Sequence, residues 1–219
     1  MIDTILIDYG NTIMQVDQKK RKYLFKKFDV SKEEYKKIYE IYRMYSLGKI
    51  KSDDEYHRLC SLLLGRKEQF SKAFLDAIQS TEVINKNTLK LLRKLRKKYK
   101  LIIVANNVKE WIVKKLKEYG IYKLFDGVVV SSELGIRKPD PRIFTYTLKK
   151  FKLKPEKCIF ISDELNEDLT GAKVLGIKTV WFRNLRYKKF EEKTFTPDFI
   201  IKKLDDIERV VNSLNRCKG

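Results

Sequence analysis

Residues 101–131 read LIIVANNVKEWIVKKLKEYGIYKLFDGVVVS. The apolar, β-branched runs LIIVA and GVVVS at its two ends have the character of buried strands, and 109–119 between them is a helix. The pattern continues outward. A helix over 87–98 precedes LIIVA. Downstream, a helix over 141–151 leads to CIFIS at 158–162, and a helix over 168–175 leads to KTVWF at 178–182. DFII at 198–201 makes a further edge strand, and 203–214 a closing helix. Strand and helix in strict alternation imply βαβ units. The expectation is an α/β fold, a Rossmann-like parallel sheet with helices on both faces. The run ILI at 5–7 supplies one more strand at the start of the chain.

Between ILI and the alternating region the pattern is different. Residues 17–78 read as about four helices with no strand among them. Ser31 with Glu34, and Ser52 with Glu55, have capping-box spacing, and Gly48 and Gly65 punctuate between helices. Tyr35, Ile38, Ile41, Tyr42 and Tyr45 fall at helical spacing and form a packing stripe. The expected organisation is an α/β core over 1–14 and 83–219, with an α-helical bundle inserted over 15–82.

Composition narrows the function classes. The chain has 219 residues, 43% of them hydrophobic, enough for a packed core. No apolar run approaches the roughly 18–20 residues of a membrane-spanning helix, and the N-terminus enters a strand with no basic leader. These features point to a cytoplasmic protein with no membrane partner. Cys60, Cys158 and Cys217 are far apart and odd in number, as expected of free thiols rather than a zinc site or disulfide framework. The single histidine, His57, reads as an ordinary helix residue. The net charge of +20 suits anionic partners, but the lysines are spread over solvated helix faces and no nucleic-acid module is recognisable. A small anionic ligand is expected, and no nucleic acid.

Polar groups collect where strands end. Asp8 follows ILI, in a turn with Gly10 and Asn11. Asn106 and Asn107 follow LIIVA. Asp163 and Glu164 follow CIFIS. Lys138 lies in RKPDP at 137–141, after GVVVS. Strand ends of a parallel sheet face one edge, where ligands bind. Two converging acids resist ionisation unless a cation joins them. Hard oxygen donors favour Mg²⁺, and a lysine beside them suits an anionic substrate.

These stretches resemble the haloacid dehalogenase superfamily, whose members are mostly phosphatases. IDYGNT is similar to its first motif, IIVANN to its second, SSELGIRKPDPRIF to its third and FISDELNEDLTGAKVLGIKTVWF to its fourth. The helical insertion resembles a cap domain placed between motifs one and two. The resemblance implies a Mg²⁺-dependent phosphatase of a small phosphorylated metabolite, acting through an aspartyl-phosphate. It makes Asp8 the nucleophile and makes Lys138 the residue joining nucleophile and phosphate. Asp8, the Gly10 main-chain carbonyl and Asp163 would hold Mg²⁺, with Asp168 near the metal shell or the lysine. Asn106, Asn107, Thr12 and Lys138 would bind phosphate.

Two positions depart from the family pattern. Phosphatases of this family usually carry a second Asp two residues after the nucleophile, for general acid–base work; here it is Gly10. The usual Ser or Thr ending the second motif's strand is Ala105, whose missing hydroxyl contact Asn106 would have to supply. Two other readings remain open. Dehalogenase relatives also lack the second Asp, but they carry an aromatic residue at the place of Gly10, whereas Tyr9 comes one residue early. A catalytically impaired phosphate-ligand or partner-binding protein would bind Mg²⁺ without turnover. Lys19 and Lys20 are cap candidates for charged substrates, with a solvated face the simpler reading.

Overall fold

A computed structural model describes residues 1–183 and 195–216; Cys217 lies outside them. Its centre is a parallel sheet of six strands: β1 (Thr4–Ile7), β4 (Lys100–Ala105), β5 (Gly127–Val130), β6 (Cys158–Ser162), β7 (Lys178–Phe182) and β8 (Phe199–Ile201), in the order β5-β4-β1-β6-β7-β8. Both faces of the inner strands are apolar, as a sheet covered on both sides requires. Ile5 and Ile7 belong to one core cluster and Leu6 to the other, which is the period-two alternation of a strand. Ile103 and Ile161 join the first face, and Val104 and Phe160 the second. With later strands on either side of β1, the sheet has its topological switch point beside Asp8, where open α/β sheets bind ligands.

Four helices occupy the inserted segment after β1: α1 (Gln18–Lys27), α2 (Lys32–Tyr45), α3 (Asp53–Leu64) and α4 (Glu68–Gln79). They pack around a third apolar cluster that includes Leu24, Ile38, Tyr56, Phe74 and Ile78. The α2 start is a full capping box, with Ser31 and Glu34 each bonding the other's main chain. At α3 only half of the box forms. Ser52 caps Glu55, but the Glu55 carboxylate accepts from Lys51 N (2.8 Å) instead of Ser52 N. A feature not legible in the sequence joins this segment to the core: β2 (Gln15–Val16) and β3 (Glu82–Val83) pair antiparallel, with Val16 opposite Glu82. Gly48, at φ +69°, lies against the core, where a Cβ would meet Ser132 O at 2.3 Å.

The remaining helices are α5 (Lys86–Arg96), α6 (Lys109–Glu118), α7 (Ser131–Leu134), α8 (Pro141–Lys150), α9 (Leu165–Val174) and α10 (Ile207–Arg216). The start of α9 differs from expectation. It begins at Leu165, so Asp168 sits within the first turn rather than opening the helix. Cys60 and Cys158 are buried free thiols. No helix among the described residues is long and apolar enough to cross a membrane.

Candidate active site

The site assembles at the carboxyl edge of the sheet. Asp8 is buried and its amide still donates to Ile161 O (2.9 Å), so the ladder fixes its position. The turn that follows closes with Ile13 N and Met14 N both donating to Tyr9 O. Asn11 takes the left-handed conformation here, at φ +52°. Gly10 has no positive φ, and a Cβ on it would meet nothing within 4 Å. Neither backbone nor space demands glycine at that position.

Lys138 is 2% exposed. Its Nζ donates to Asp8 Oδ1 (2.5 Å) and Asp168 Oδ2 (2.6 Å). Asp168 Oδ2 also accepts from Ser162 Oγ (2.5 Å). The lysine's loop is held from two sides. Asn106 Oδ1 accepts from Lys138 N (2.8 Å) while its Nδ2 donates to Lys138 O (3.1 Å). Across the loop, a Cβ on Gly171 would stand 2.0 Å from Pro139 O. The Asn106 side chain thus positions Lys138 through both of its polar atoms, while the second N–H of Nδ2 remains and Asn106 lines the cavity. Asn107 Oδ1 accepts from Val108 N (2.7 Å) at the start of α6. Thr12 is turned to Asp163: it accepts from Asp163 N (3.2 Å) and its hydroxyl lies 3.5 Å from Asp163 Oδ1. Trp181 Nε1 donates to Asp163 O (2.9 Å).

Asp8 and Asp168 are buried carboxylates sharing one buried ammonium, and Asp163 is a third buried carboxylate lining the same cavity. Burial pushes the Asp8 carboxyl up to about 6, with Lys138 opposing and Asp168 adding to the rise. Burial alone would lower the Lys138 pKa, but Asp168 and Asp8 reverse this and hold it above the usual lysine value. A cation at this excess of negative charge would relieve it. The donors are carboxylate and carbonyl oxygens, which suits Mg²⁺. Among the described residues no three His, Cys, Asp or Glu side chains form a metal cage. Two carboxylates and the Gly10 carbonyl would leave places for water and substrate, as Mg²⁺ prefers.

A cavity of about 690 Å³ opens over these groups. Asp8, Lys138, Asp163, Glu164 and Asp168 line its floor, and Tyr35, Ile38 and Tyr42 of the α2 stripe line it from above. The stripe thus both packs the helical segment and walls the cavity. Thr12, His57, Lys19 and Lys20 are not among the lining residues. Three that are, Arg137, Arg21 and Glu82, escaped the sequence reading. Arg137 adjoins Lys138, and its Nη1 is buried with no hydrogen-bond partner among the described residues; its place in RKPDP was the available signal. Arg21 and Glu82 belong to α1 and β3, where nothing in one sequence marks them.

The family model for haloacid dehalogenase-like hydrolases matches residues 2–176. The chain is similar to a glyceraldehyde 3-phosphate phosphatase of Methanopyrus kandleri, 29% identical over 202 residues, covering 85% of this chain and 82% of that protein. It is similar in structure to a HAD family enzyme of Bacteroides thetaiotaomicron in magnesium complex, with TM-score 0.67, 26% identity, and 81% and 91% of the two chains covered. A 2-haloacid dehalogenase of Pseudomonas syringae shares the fold at TM-score 0.73 and 17% identity, over 97% of this chain and 99% of that one.

Proposed function

Because the chain belongs to the haloacid dehalogenase-like hydrolases, we propose that it is a Mg²⁺-dependent phosphomonoesterase, with Asp8 as nucleophile and the helical segment 15–82 as a cap over the site. The observation that carries this reading is the buried Lys138 ammonium shared between Asp8 and Asp168 at the floor of the cavity. Asp8 attacks phosphorus, its carboxylate oxygen forming the new bond as the ester oxygen leaves. Water then cleaves the aspartyl-phosphate and regenerates Asp8. Lys138 holds the attacking carboxylate and draws the anionic ester to it. Arg137 adds a second positive group whose Nη1 needs an acceptor. When bound at Asp8, the Gly10 carbonyl and Asp163, Mg²⁺ supplies charge neutralisation at the phosphoryl group. The α2 wall excludes water during transfer. With Gly10 in place of the usual acid, the first step is slow on an alkyl ester, whose departing oxygen must take a proton from another group or water, and faster on a phenolate that leaves without one.

The substrate class is a small phosphorylated metabolite, in keeping with the phosphatase name of the Methanopyrus relative. A cytoplasmic location fits the buried free thiols. The missing second acid also suits a carbon–halogen hydrolase. Tyr9, however, is buried among the core residues and does not fill the place of Gly10, which favours the phosphatase. The test is hydrolysis of p-nitrophenyl phosphate with Mg²⁺ and with EDTA, by the wild type and Asp8→Asn. Mg²⁺-dependent turnover lost in the variant is the expected result. Inactivity of the folded, Mg²⁺-loaded wild type, with release of chloride from 2-chloropropionate, would transfer the assignment to the dehalogenase reading.

A further inference from the structure

We propose that the cavity wall beside the β2–β3 ribbon is a leaving-group subsite, where Glu82, Tyr9 and Arg21 hydrogen-bond a neutral, hydroxyl-rich alcohol of the polyol or sugar type. This rests on the phosphatase reading above. All three residues line the same cavity as Asp8, yet the proposed chemistry at phosphorus uses none of them.

Each of the three has bonding capacity to spare. Tyr9 is 2% exposed, and its hydroxyl has no hydrogen-bond partner among the described residues. A buried hydroxyl left unpaired is costly in a folded protein, and here it borders a cavity that a ligand can enter. A tyrosine hydroxyl both donates and accepts, so either end of a ligand hydroxyl can meet it. The Glu82 carboxylate makes no hydrogen bond or ion pair among the described residues, although Arg21 and Lys115 both act on it electrostatically. The Arg21 side chain makes one hydrogen bond, from Nε to Thr81 Oγ1 (3.3 Å), and no ion pair among the described residues. An acid and a base that share a cavity without meeting leave room for a ligand between them.

The charges select the ligand. Glu82 and Arg21 are joined on this wall by Lys115, which pairs with Glu118 at 3.0 Å. Asp76 and Lys114 line the cavity as well, and three acids and three bases leave no net sign. An ammonium on the leaving group would meet Arg21 and Lys115, and a carboxylate would meet Glu82 and Glu118. A hydroxyl can donate to Glu82 and accept from Arg21 or Tyr9, so a chain or ring of hydroxyls satisfies all three. Tyr35 and Tyr42 add apolar ring surface for carbon–hydrogen faces. The cavity of about 690 Å³ falls in the range that holds ligands well above triose size.

The experiment compares sorbitol 6-phosphate with n-hexyl phosphate, which has the same primary leaving oxygen and chain length but no hydroxyls. Steady-state rates are measured for Mg²⁺-loaded wild type, Glu82→Gln and Tyr9→Phe. Wild type should favour the sorbitol ester in kcat/KM by about tenfold or more. Each variant should shrink that ratio, chiefly by raising KM for the sorbitol ester. A wild-type ratio near one, or equal loss on both esters, overturns the subsite. Turnover of p-nitrophenyl phosphate reports the phosphatase reading separately. If that reading fails, calorimetric binding of sorbitol 6-phosphate decides: binding that Glu82→Gln weakens about tenfold upholds the subsite, and no binding overturns it. Tyr9→Phe removes a single oxygen from a packed ring, which guards against a result due to misfolding of Glu82→Gln.

Discussion

The Lys138 ammonium stands 2.5 Å from Asp8 Oδ1, across 130 residues of chain. Because Asp168 shares the same ammonium, the two aspartates contribute unequally to activity and stability. Asp8→Asn leaves the Lys138–Asp168 pair in place and removes one of several crowded negative charges. It should lower phosphatase turnover by at least about 10³-fold while changing unfolding free energy by about 1 kcal/mol or less. Lys138→Met leaves Asp8 and Asp168 buried without their cation and should cost about 3 kcal/mol as well as activity. Urea unfolding of both variants at pH 7 checks this; equal destabilisation would mean that Lys138 does not hold the pair together.

Gly171 explains how the loop carrying Lys138 comes so close to α9. The Pro139 carbonyl lies where a Cβ on Gly171 would sit, at 2.0 Å. Gly171→Ala must push backbone against backbone, and the loop that moves is the one clamped by Asn106. The expected cost is about 1–3 kcal/mol of stability, with a fall in kcat because Lys138 is displaced from Asp8. Gly176→Ala is the contrasting control. It meets nothing within 4 Å but sits at φ +80°, so it should destabilise without a selective effect on kcat. Circular dichroism melts and steady-state kinetics on the pair separate the two outcomes.

Asp198 ties the edge strand β8 to β7 and gives the fold a pH dependence remote from the site. Burial alone would raise its carboxyl, but hydrogen bonds from Thr179 N and Oγ1 and the charges of Lys178 and Lys173 outweigh that and hold it below the usual aspartate value. A lowered folded pKa means stability that is present above the unfolded value near about 4 and is lost as pH falls through the folded value. Asp198→Asn should therefore cost about 1 kcal/mol at pH 7, after allowance for screening. The gap from wild type should narrow as pH drops below about 4. Denaturant midpoints across that range provide the check, and a gap constant with pH would show that charge is not involved.

The inner strands were legible because each is a short apolar run on a sheet buried on both faces; CIFIS and KTVWF match β6 and β7 residue for residue. Asp8, Lys138 and Asp163 could be placed because strand ends of a parallel sheet share an edge, whereas Asp168 came only from the resemblance of its stretch to the family's fourth motif. What stayed hidden depends on contacts between distant segments. Val16 and Glu82 pair over two-residue strands too short to carry a period. Asn106 could be placed after its strand, but only the folded loop shows that both polar atoms of its amide bond the Lys138 main chain. Arg21 and Glu82 face the cavity through the way the helical segment meets the core, which no local pattern encodes.

Gly10 gives the sharpest test of how far the chemistry is limited by one residue. It lies two positions beyond Asp8, has no positive φ, and offers a Cβ open space to 4 Å. An aspartate should therefore be accommodated there without strain. In the proposed reaction the missing group is a general acid for the departing alcohol, and such acids contribute about 10²–10⁴-fold where the leaving group is poor. A nitrophenolate leaves unaided, whereas an alkoxide does not. Gly10→Asp should then raise kcat/KM for an alkyl phosphate such as sorbitol 6-phosphate by about tenfold or more, while p-nitrophenyl phosphate changes far less. A gain of the same size on both esters would point to altered metal or phosphate binding instead. No gain on either would mean that the proton already comes from another group facing the cavity, with Glu82 and Glu164 the first two to replace by glutamine.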